Sequence, residues 1–241
     1  MPNIFLFPFI KKEEIAEGTY AFFFKKSEEF NFLPGQYIRI ILPHQNPDNR
    51  GQTRLFSISS SPLEKDYIRI VTKVIKSSFK KALYNLTPGA KVQFSPPMGS
   101  FILKEEDKQE RLFLAGGIGI TPFLCMLEYA NEKKLSIPLT LFVSFSTVEE
   151  VIYYKKLQEI SQNNLSIKII YTVTHPEDSK KPWVGETGRI SQNLIKKYAL
   201  DILKPFYYIA GPPAMVDAMR KLVDSMGVAN EKIRTENFTG Y

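Results

Sequence analysis

The 241-residue chain has one cysteine, Cys125. A single thiol cannot close a disulfide within the chain, and it cannot supply a cysteine-ligated zinc or iron–sulfur cluster. Such sparing use of cysteine fits a reduced, cytoplasmic setting. Long apolar runs are missing too. None approaches the ~20 residues of a membrane helix, so no membrane span is expected. The opening "MPNIFLFPFIKKEE" is briefly apolar, but it lacks a basic lead-in and a small-residue cleavage site, and two prolines interrupt it. It reads as a strand and not as a signal peptide. A nucleic-acid recognition motif is absent as well, and the net charge of +7 comes from scattered lysines. That charge suits a solvated surface, or the steering of an acidic protein partner or phosphorylated cofactors, better than nucleic acid.

What is present changes texture near residue 108. Residues 1–108 are β-rich. "YIRIIL" (Tyr37–Leu42), "LFSISS" (Leu55–Ser60), "YIRIVTKV" (Tyr67–Val74) and "KVQFSP" (Lys91–Pro96) are short strands separated by the turn signals "LPGQ", "NPDNRG" and "TPGA". Only Ser77–Leu86 reads as a helix, capped by Ser77 or Ser78. The pattern predicts an antiparallel barrel or sandwich carrying one helix. After the charged "KEEDKQE" (Lys104–Glu110), strands and helices alternate through residues 109–241. The strands are Leu112–Ala115, Leu139–Phe145, Ile167–Thr174, Phe206–Ala210 and Ile233–Phe238. The helices are Pro122–Lys133, Val148–Gln162, Ser191–Tyr198 and Ala214–Met226. Alternation of this kind predicts a second domain, α/β with a parallel sheet.

The chemistry-bearing stretches follow the strands. "LAGGIGITPF" (Leu114–Phe123) is strand, glycine turn, helix. It opens like the dinucleotide fingerprint, but Pro122 stands where the third glycine belongs. Proline suits the first turn of a helix. Gly117 and Gly119 would let a phosphate approach the N–H groups at the helix start. Alone, the turn fits a ligand-free strand–helix connection equally well. A second glycine turn, "YYIAGPPAMV" (Tyr207–Val216), lies at the same carboxyl edge of a parallel sheet, where open α/β sheets bind ligands. In the β-rich half, "TRLFSISS" (Thr53–Ser60) puts Arg54 and Phe56 on one face of a strand and Ser57 on the other. Arginine offers bidentate phosphate binding, an aromatic offers a stacking surface, and serine offers a hydroxyl donor. Spacing alone fits an edge strand with a surface arginine as well.

Five motifs in order are similar to those of the ferredoxin–NADP reductase superfamily: Arg54-Leu55-Phe56-Ser57, Pro97-Met98-Gly99-Ser100-Phe101, Gly117-Ile118-Gly119-Ile120-Thr121-Pro122, Gly211-Pro212-Pro213 and Glu236-Asn237-Phe238. These are flavoproteins with a β-barrel flavin domain followed by a nicotinamide domain, and the resemblance spans essentially the whole chain. It implies a Greek-key barrel over residues 1–108 and a nicotinamide-dinucleotide domain over 109–241. It implies that Arg54 binds the flavin phosphate, that Phe56 stacks on the isoalloxazine where the family usually has tyrosine, and that Ser57 hydrogen-bonds flavin N5. Leu55 joins the flavin contacts, and Ile58, Val71, Thr72 and Lys73 line the flavin through their backbone. Ser77, Ser78, Phe79 and Lys80 present a helix start to the pyrophosphate, which implies FAD and not FMN. Gly117, Gly119, Thr121 and Pro122 hold the dinucleotide, and Gly211, Pro212 and Met215 flank its nicotinamide and ribose. Glu236 and Phe238 approach the reaction centre and complete, with Ser57, the implied catalytic set. Tyr241 is a second candidate for the aromatic that covers the flavin.

The sequence departs from the family in places. Lys80 stands where serine or threonine is common. Ala210 replaces the cysteine before glycine-proline. Ser146 or Thr147 and His175 lie where NADP-preferring members carry arginines, although Arg189 offers a 2′-phosphate partner. This mixture favours NADH over NADPH. The resemblance implies hydride transfer from nicotinamide C4 to FAD N5, then electron transfer to a separate acceptor such as an acidic ferredoxin or flavodoxin. Competing readings are a reductase of free flavin, ferric chelate or quinone, a non-catalytic flavin- or nucleotide-binding module, and a nucleotide-dependent transferase. Elsewhere, Cys125 in "PFLCML" reads as helix core, His44 as a solvated loop residue, and Trp183 as a loop anchor.

Overall fold

A computed structural model of the chain describes residues 4–74 and 77–239. The first unit contains β1 (Phe5–Ala16), β2 (Thr19–Lys25), β3 (Tyr37–Ile41), β4 (Thr53–Ser57), β5 (Tyr67–Lys73), α1 (Ser78–Tyr84) and β6 (Lys91–Phe94). Its strands form one antiparallel sheet in the order β4-β3-β6-β1-β2-β5. The sheet rolls up because the chain beyond β4 meets β5. The Ser59 N–H donates to the Arg69 carbonyl at 2.8 Å, and the Ser59 hydroxyl donates to the same oxygen at 2.9 Å. Strand alternation sends Phe7, Phe9, Phe22, Phe24, Ile38, Ile40, Ile68, Ile70 and Phe94 inward. Phe7 and Phe30 meet edge to face at 5.1 Å between centroids. The helix α1 closes one end with Phe79 and Leu83, both fully buried.

The second unit contains β7 (Arg111–Gly116), α2 (Thr121–Glu132), β8 (Leu139–Phe145), α3 (Tyr154–Asn163), β9 (Ile167–Val173), β10 (Glu186–Thr187), α4 (Gln192–Tyr198), β11 (Phe206–Gly211), α5 (Pro213–Ser225) and β12 (Ile233–Asn237). Its sheet is parallel, in the order β10-β9-β8-β7-β11-β12. Phe113, Ala115, Leu141, Val143 and Tyr208 face α2 and α3, whereas Leu112, Leu114, Phe142, Tyr207 and Ile209 face α4 and α5. The sheet is thus covered on both faces, as parallel sheets are. No helix among the described residues is long and apolar enough to cross a membrane.

One predicted helix is cut back. The stretch Val148–Gln162 begins as a short turn over Val148–Glu150, and α3 starts only at Tyr154. Between them, Val151 is extended, Ile152 is 1% exposed, and Tyr153 takes a left-handed φ of 55°. Drawing the β-branched Ile152 into the core breaks the helical path that its neighbours favour.

The two units share a sealed seam. Barrel residues Ala21, Phe23, Val71, Phe101 and Leu103 belong to the core of the second unit, while Cys125 of α2 belongs to the barrel core. Within the seam, Arg69 of β5 bonds Glu128 of α2 at 2.6 Å, both almost fully buried. Glu128 also holds Lys156 of α3 at 2.7 Å.

Candidate active site

The motif that begins at Arg54 builds one wall of a 670 Å³ cavity between the units. Pairing with β3 fixes its register, Ile38 opposite Phe56 and Tyr37 opposite Ser57. Arg54 is held by its own loop. It bonds Asp48 Oδ1 at 2.5 Å and the carbonyls of Arg50, Gly51 and Thr53 at 2.7–3.0 Å, and it lies 5.2 Å over the Phe79 ring. Its buried Nε has no partner. The hydrogen bond from Arg54 holds the Asp48 carboxyl below the usual range. Lys80 lines the same cavity, where burial and then the charges of Arg50 and Arg54 lower its pKa to about 8. Phe56 packs 6.0 Å from Phe79.

Ser57, Val71 and Thr72 also line this cavity, with Glu236 of β12 and Phe238 just beyond it. Ser57 Oγ makes no hydrogen bond among the described residues. Glu236 Oε2 is buried without a partner, and burial raises the carboxyl to about 7. The Phe238 N–H donates to the Gly211 carbonyl at 2.9 Å, which fixes the aromatic beside the second glycine turn.

A second cavity, 570 Å³, opens along the carboxyl edge of the parallel sheet. Gly117 lies in it at φ 51°, with open space where a Cβ would be. Pro212 and Met215 form one side, and Ser146, His175 and Arg189 the far rim. Lys73 reaches in from the barrel and bonds Glu150 Oε1 at 2.6 Å. Glu150 Oε2 accepts the Ser146 N–H at 3.4 Å. Ile118 lines both cavities, so they meet at the first glycine turn.

The structure separates residues that the motif reading grouped together. Gly119 does not face a ligand space: a Cβ there would stand 2.2 Å from the Ala210 carbonyl oxygen, so this glycine permits the two turns to touch. Thr121 donates to the Ile118 carbonyl at 3.0 Å and faces the barrel-side cavity, while Pro122 is buried. Lys73 lines the sheet-edge cavity and not the barrel-side one. Ser77 caps α1 by accepting from the Lys80 N–H. The Ser78 hydroxyl accepts from the Asp48 N–H and bonds His44 Nε2, both at 3.1 Å, so His44 is tied down and not simply solvated. Ile58 and Phe79 are barrel core, and Leu55 is exposed on the cavity wall. Gly211 lies against Met215 Sδ, its hypothetical Cβ at 3.2 Å. Tyr241 lies outside the described residues. Asp48, Arg50 and Glu150 were missed. "NPDNRG" carried only a turn signal, and Glu150 sits in what reads as a solvated helix start.

The two cavities fit the two groups that the motifs imply. Arg50, Arg54 and Lys80 together line the barrel-side cavity and give it the positive charge that a pyrophosphate requires. Aromatic side chains, the Ser57 hydroxyl and the Glu236 carboxyl line the same cavity, as a polar-edged ring system requires.

Comparison with known proteins agrees. Residues 7–102 match the oxidoreductase FAD-binding domain family, and residues 113–221 match the oxidoreductase NAD-binding domain family. The toluate 1,2-dioxygenase electron transfer component of Pseudomonas putida is 30% identical over 233 residues, covering 93% of this chain and 65% of the relative. The reductase component of propane 2-monooxygenase from Mycolicibacterium smegmatis is 25% identical over 215 residues, covering 88% and 60%. The chain therefore spans about 60–65% of the length of these relatives. Among solved structures, a ferredoxin NADP+ reductase from Neisseria gonorrhoeae, with bound FAD and NADP, shares the fold at a TM-score of 0.82 and 20% identity, covering 98% of this chain and 99% of that one.

Proposed function

The chain belongs to the ferredoxin–NADP reductase superfamily, with an FAD-binding and an NAD-binding oxidoreductase domain, and from this premise we propose that it is an NAD(P)H-dependent flavoprotein reductase serving a separate electron acceptor. The carrying observation is the junction of the two cavities at Ile118, with Ser57, Glu236 and Phe238 on the barrel-side wall. We place the division between the domains at residues 108 and 109.

Bound FAD would supply a hydride acceptor at N5 and the capacity to release two electrons one at a time. The chain's own residues supply binding, orientation and proton control. Arg54 and Lys80 would neutralise the pyrophosphate. Asp48 holds Arg54 in place, so little side-chain freedom is lost when phosphate arrives. Phe56 offers a ring face, and Ser57 Oγ offers a donor to the flavin edge. Glu236, whose pKa is raised to about 7, can hold a proton near neutrality beside the ring. Phe238 lines the same cavity and would have to yield its place to the nicotinamide. Gly117 clears the approach to the helix start, and Pro212 and Met215 wall the nicotinamide side.

We assign NADH as the donor. Among the described residues, Glu150 is the one acid lining the sheet-edge cavity. A carboxylate there can accept from a ribose hydroxyl, as acids do in NAD-binding sites. The toluate dioxygenase and propane monooxygenase relatives are components of oxygenase systems, so an acidic iron–sulfur or flavin electron-transfer protein is the acceptor class we favour, with the surplus of positive charge aiding encounter. Stopped-flow reduction of the FAD-loaded protein by NADH and NADPH, followed by reoxidation with ferredoxin, flavodoxin, quinone and ferric chelate, tests this. Flavin reduction faster with NADH and salt-sensitive reoxidation by a protein acceptor are expected. A protein that takes up no FAD would overturn the reading.

A further inference from the structure

A further cavity, 330 Å³, lies at the seam between the units and shares no lining residue with the two described above. Strand register builds its barrel wall. Lys11 of β1, Phe23 of β2 and Arg69 of β5 are cross-strand neighbours. The residues beside them, Phe22, Phe24, Ile68 and Ile70, point into the barrel core, so these three side chains face outward. Tyr67, two residues before Arg69, joins them on that face. The other wall is the start of α3, where Tyr153 and Lys156 stand three residues apart. Tyr153 is left-handed at φ 55°, and its ring centre lies 5.1 Å from the Arg69 guanidinium carbon.

The polar groups here favour an anion. Arg69 is 2% exposed. Its Nε and Nη2 are held by Ser59 and Glu128, but Nη1 makes no hydrogen bond among the described residues. Lys156 and Arg69 bond the same Glu128 oxygen, at 2.7 and 2.6 Å. Two cations thus share one carboxylate, and one positive charge is left over. Glu13, the one acid lining the cavity among the described residues, is matched by Lys11 at 2.5 Å. The helix α3 begins here with no side-chain cap and no acid in its first turn, so its N–H groups add to the positive field. Burial pushes the Tyr153 phenol up to about 12, so it stays neutral and can donate. Ile10 and the rings of Phe23 and Tyr67 supply an apolar remainder. The volume stands at the low end for small-molecule sites and suits a ligand of one ring. We propose that this cavity binds a small aromatic carboxylate, its anion met by Arg69 Nη1 and Lys156 and its ring seated among Phe23, Tyr67 and Tyr153.

The probe is benzoate, titrated by calorimetry into the full chain with and without excess FAD and NAD+. The site shares no residue with the cavities proposed for those cofactors, so equal affinity is expected in both conditions, whatever becomes of the reductase reading. Displacement of benzoate by either cofactor would place it in those cavities and overturn the proposal. Binding should weaken about tenfold in Lys156→Met, the worth of one hydrogen bond to a charged group. It should be blocked in Ile10→Trp, which fills the cavity and leaves its charges in place. The Lys156 side chain is 39% exposed and Ile10 37%, so both variants should fold. Benzamide, similar in shape but neutral, and acetate, charged but without a ring, should each bind about tenfold more weakly than benzoate. Equal binding of benzamide would overturn the charge assignment, and equal binding of acetate or chloride would overturn the aromatic one. No saturation at millimolar benzoate, or binding unchanged in either variant, would overturn the site.

Discussion

The carbonyl oxygen of Ala210 occupies the place where a side chain on residue 119 would begin, 2.2 Å from an ideal Cβ at Gly119. The contact is between backbones and cannot give way by rotation of a side chain. Gly119→Ala should therefore destabilise the chain by about 3 kcal/mol, the upper part of the range for overpacking. At Gly117, where the space is open but φ is 51°, alanine should cost about 1–2 kcal/mol. Urea denaturation of the two variants measures the difference, and equal costs would refute the division of roles.

Arg54→Ala should weaken FAD binding by about 1.5–3 kcal/mol, the range for a hydrogen bond to a charged group. Titration of the flavin-free protein with FAD measures it. Unchanged affinity would remove Arg54 from the pyrophosphate site.

Ser57→Ala should keep FAD bound and slow its reduction by NADH about two- to tenfold, the worth of one neutral hydrogen bond gained in the transition state. Unaltered single-turnover reduction would leave the hydroxyl without a catalytic part.

The buried Glu236 carboxyl titrates at about 7, against 4.5 for the free group. The folded chain thus holds this proton more tightly than the unfolded one. Below about pH 4.5 both states are protonated and no penalty exists. As pH rises toward 7 the unfolded state ionises first, and stability falls by up to about 3 kcal/mol. In the flavin-free protein, Glu236→Gln should match the parent at low pH and exceed it above pH 7. Thermal melts across that window check the sign, and parallel curves would contradict it.

Glu128→Gln removes one partner of a buried pair and leaves Arg69 charged in the seam. A loss of about 3–5 kcal/mol is expected, whereas Arg69→Met with Glu128→Leu should recover most of it. Chemical denaturation of the single and paired variants decides this.

Much of this molecule was legible because its signals are local. The change from β-rich to alternating texture, the capped start of α1, and the glycine turns each depend on neighbours in sequence. Arg54, Phe56 and Ser57 could be read as a constellation because a strand fixes which of them share a face. The rest depends on partners far along the chain. Asp48 gains its role only when Arg54 folds back on it. Glu150 gains its role only when Lys73 crosses from the other unit, 77 residues away. The late start of α3 reflects the pull of the core on Ile152, which helix propensity does not contain. Gly119 resembles Gly117 in sequence and differs from it only through what β11 places beside it.

The exchange of core residues across the seam, with Cys125 inside the barrel and Phe23, Val71 and Phe101 inside the sheet layer, bears on how such a chain can be cut and recombined. A break at residue 108 would strip apolar surface from both halves, so neither should stand as a soluble fragment. An exchange of coenzyme or flavin preference by grafting whole domains would have to carry both faces of the joint together. Single-residue changes within one cavity leave that joint intact and are the practical route to altered specificity.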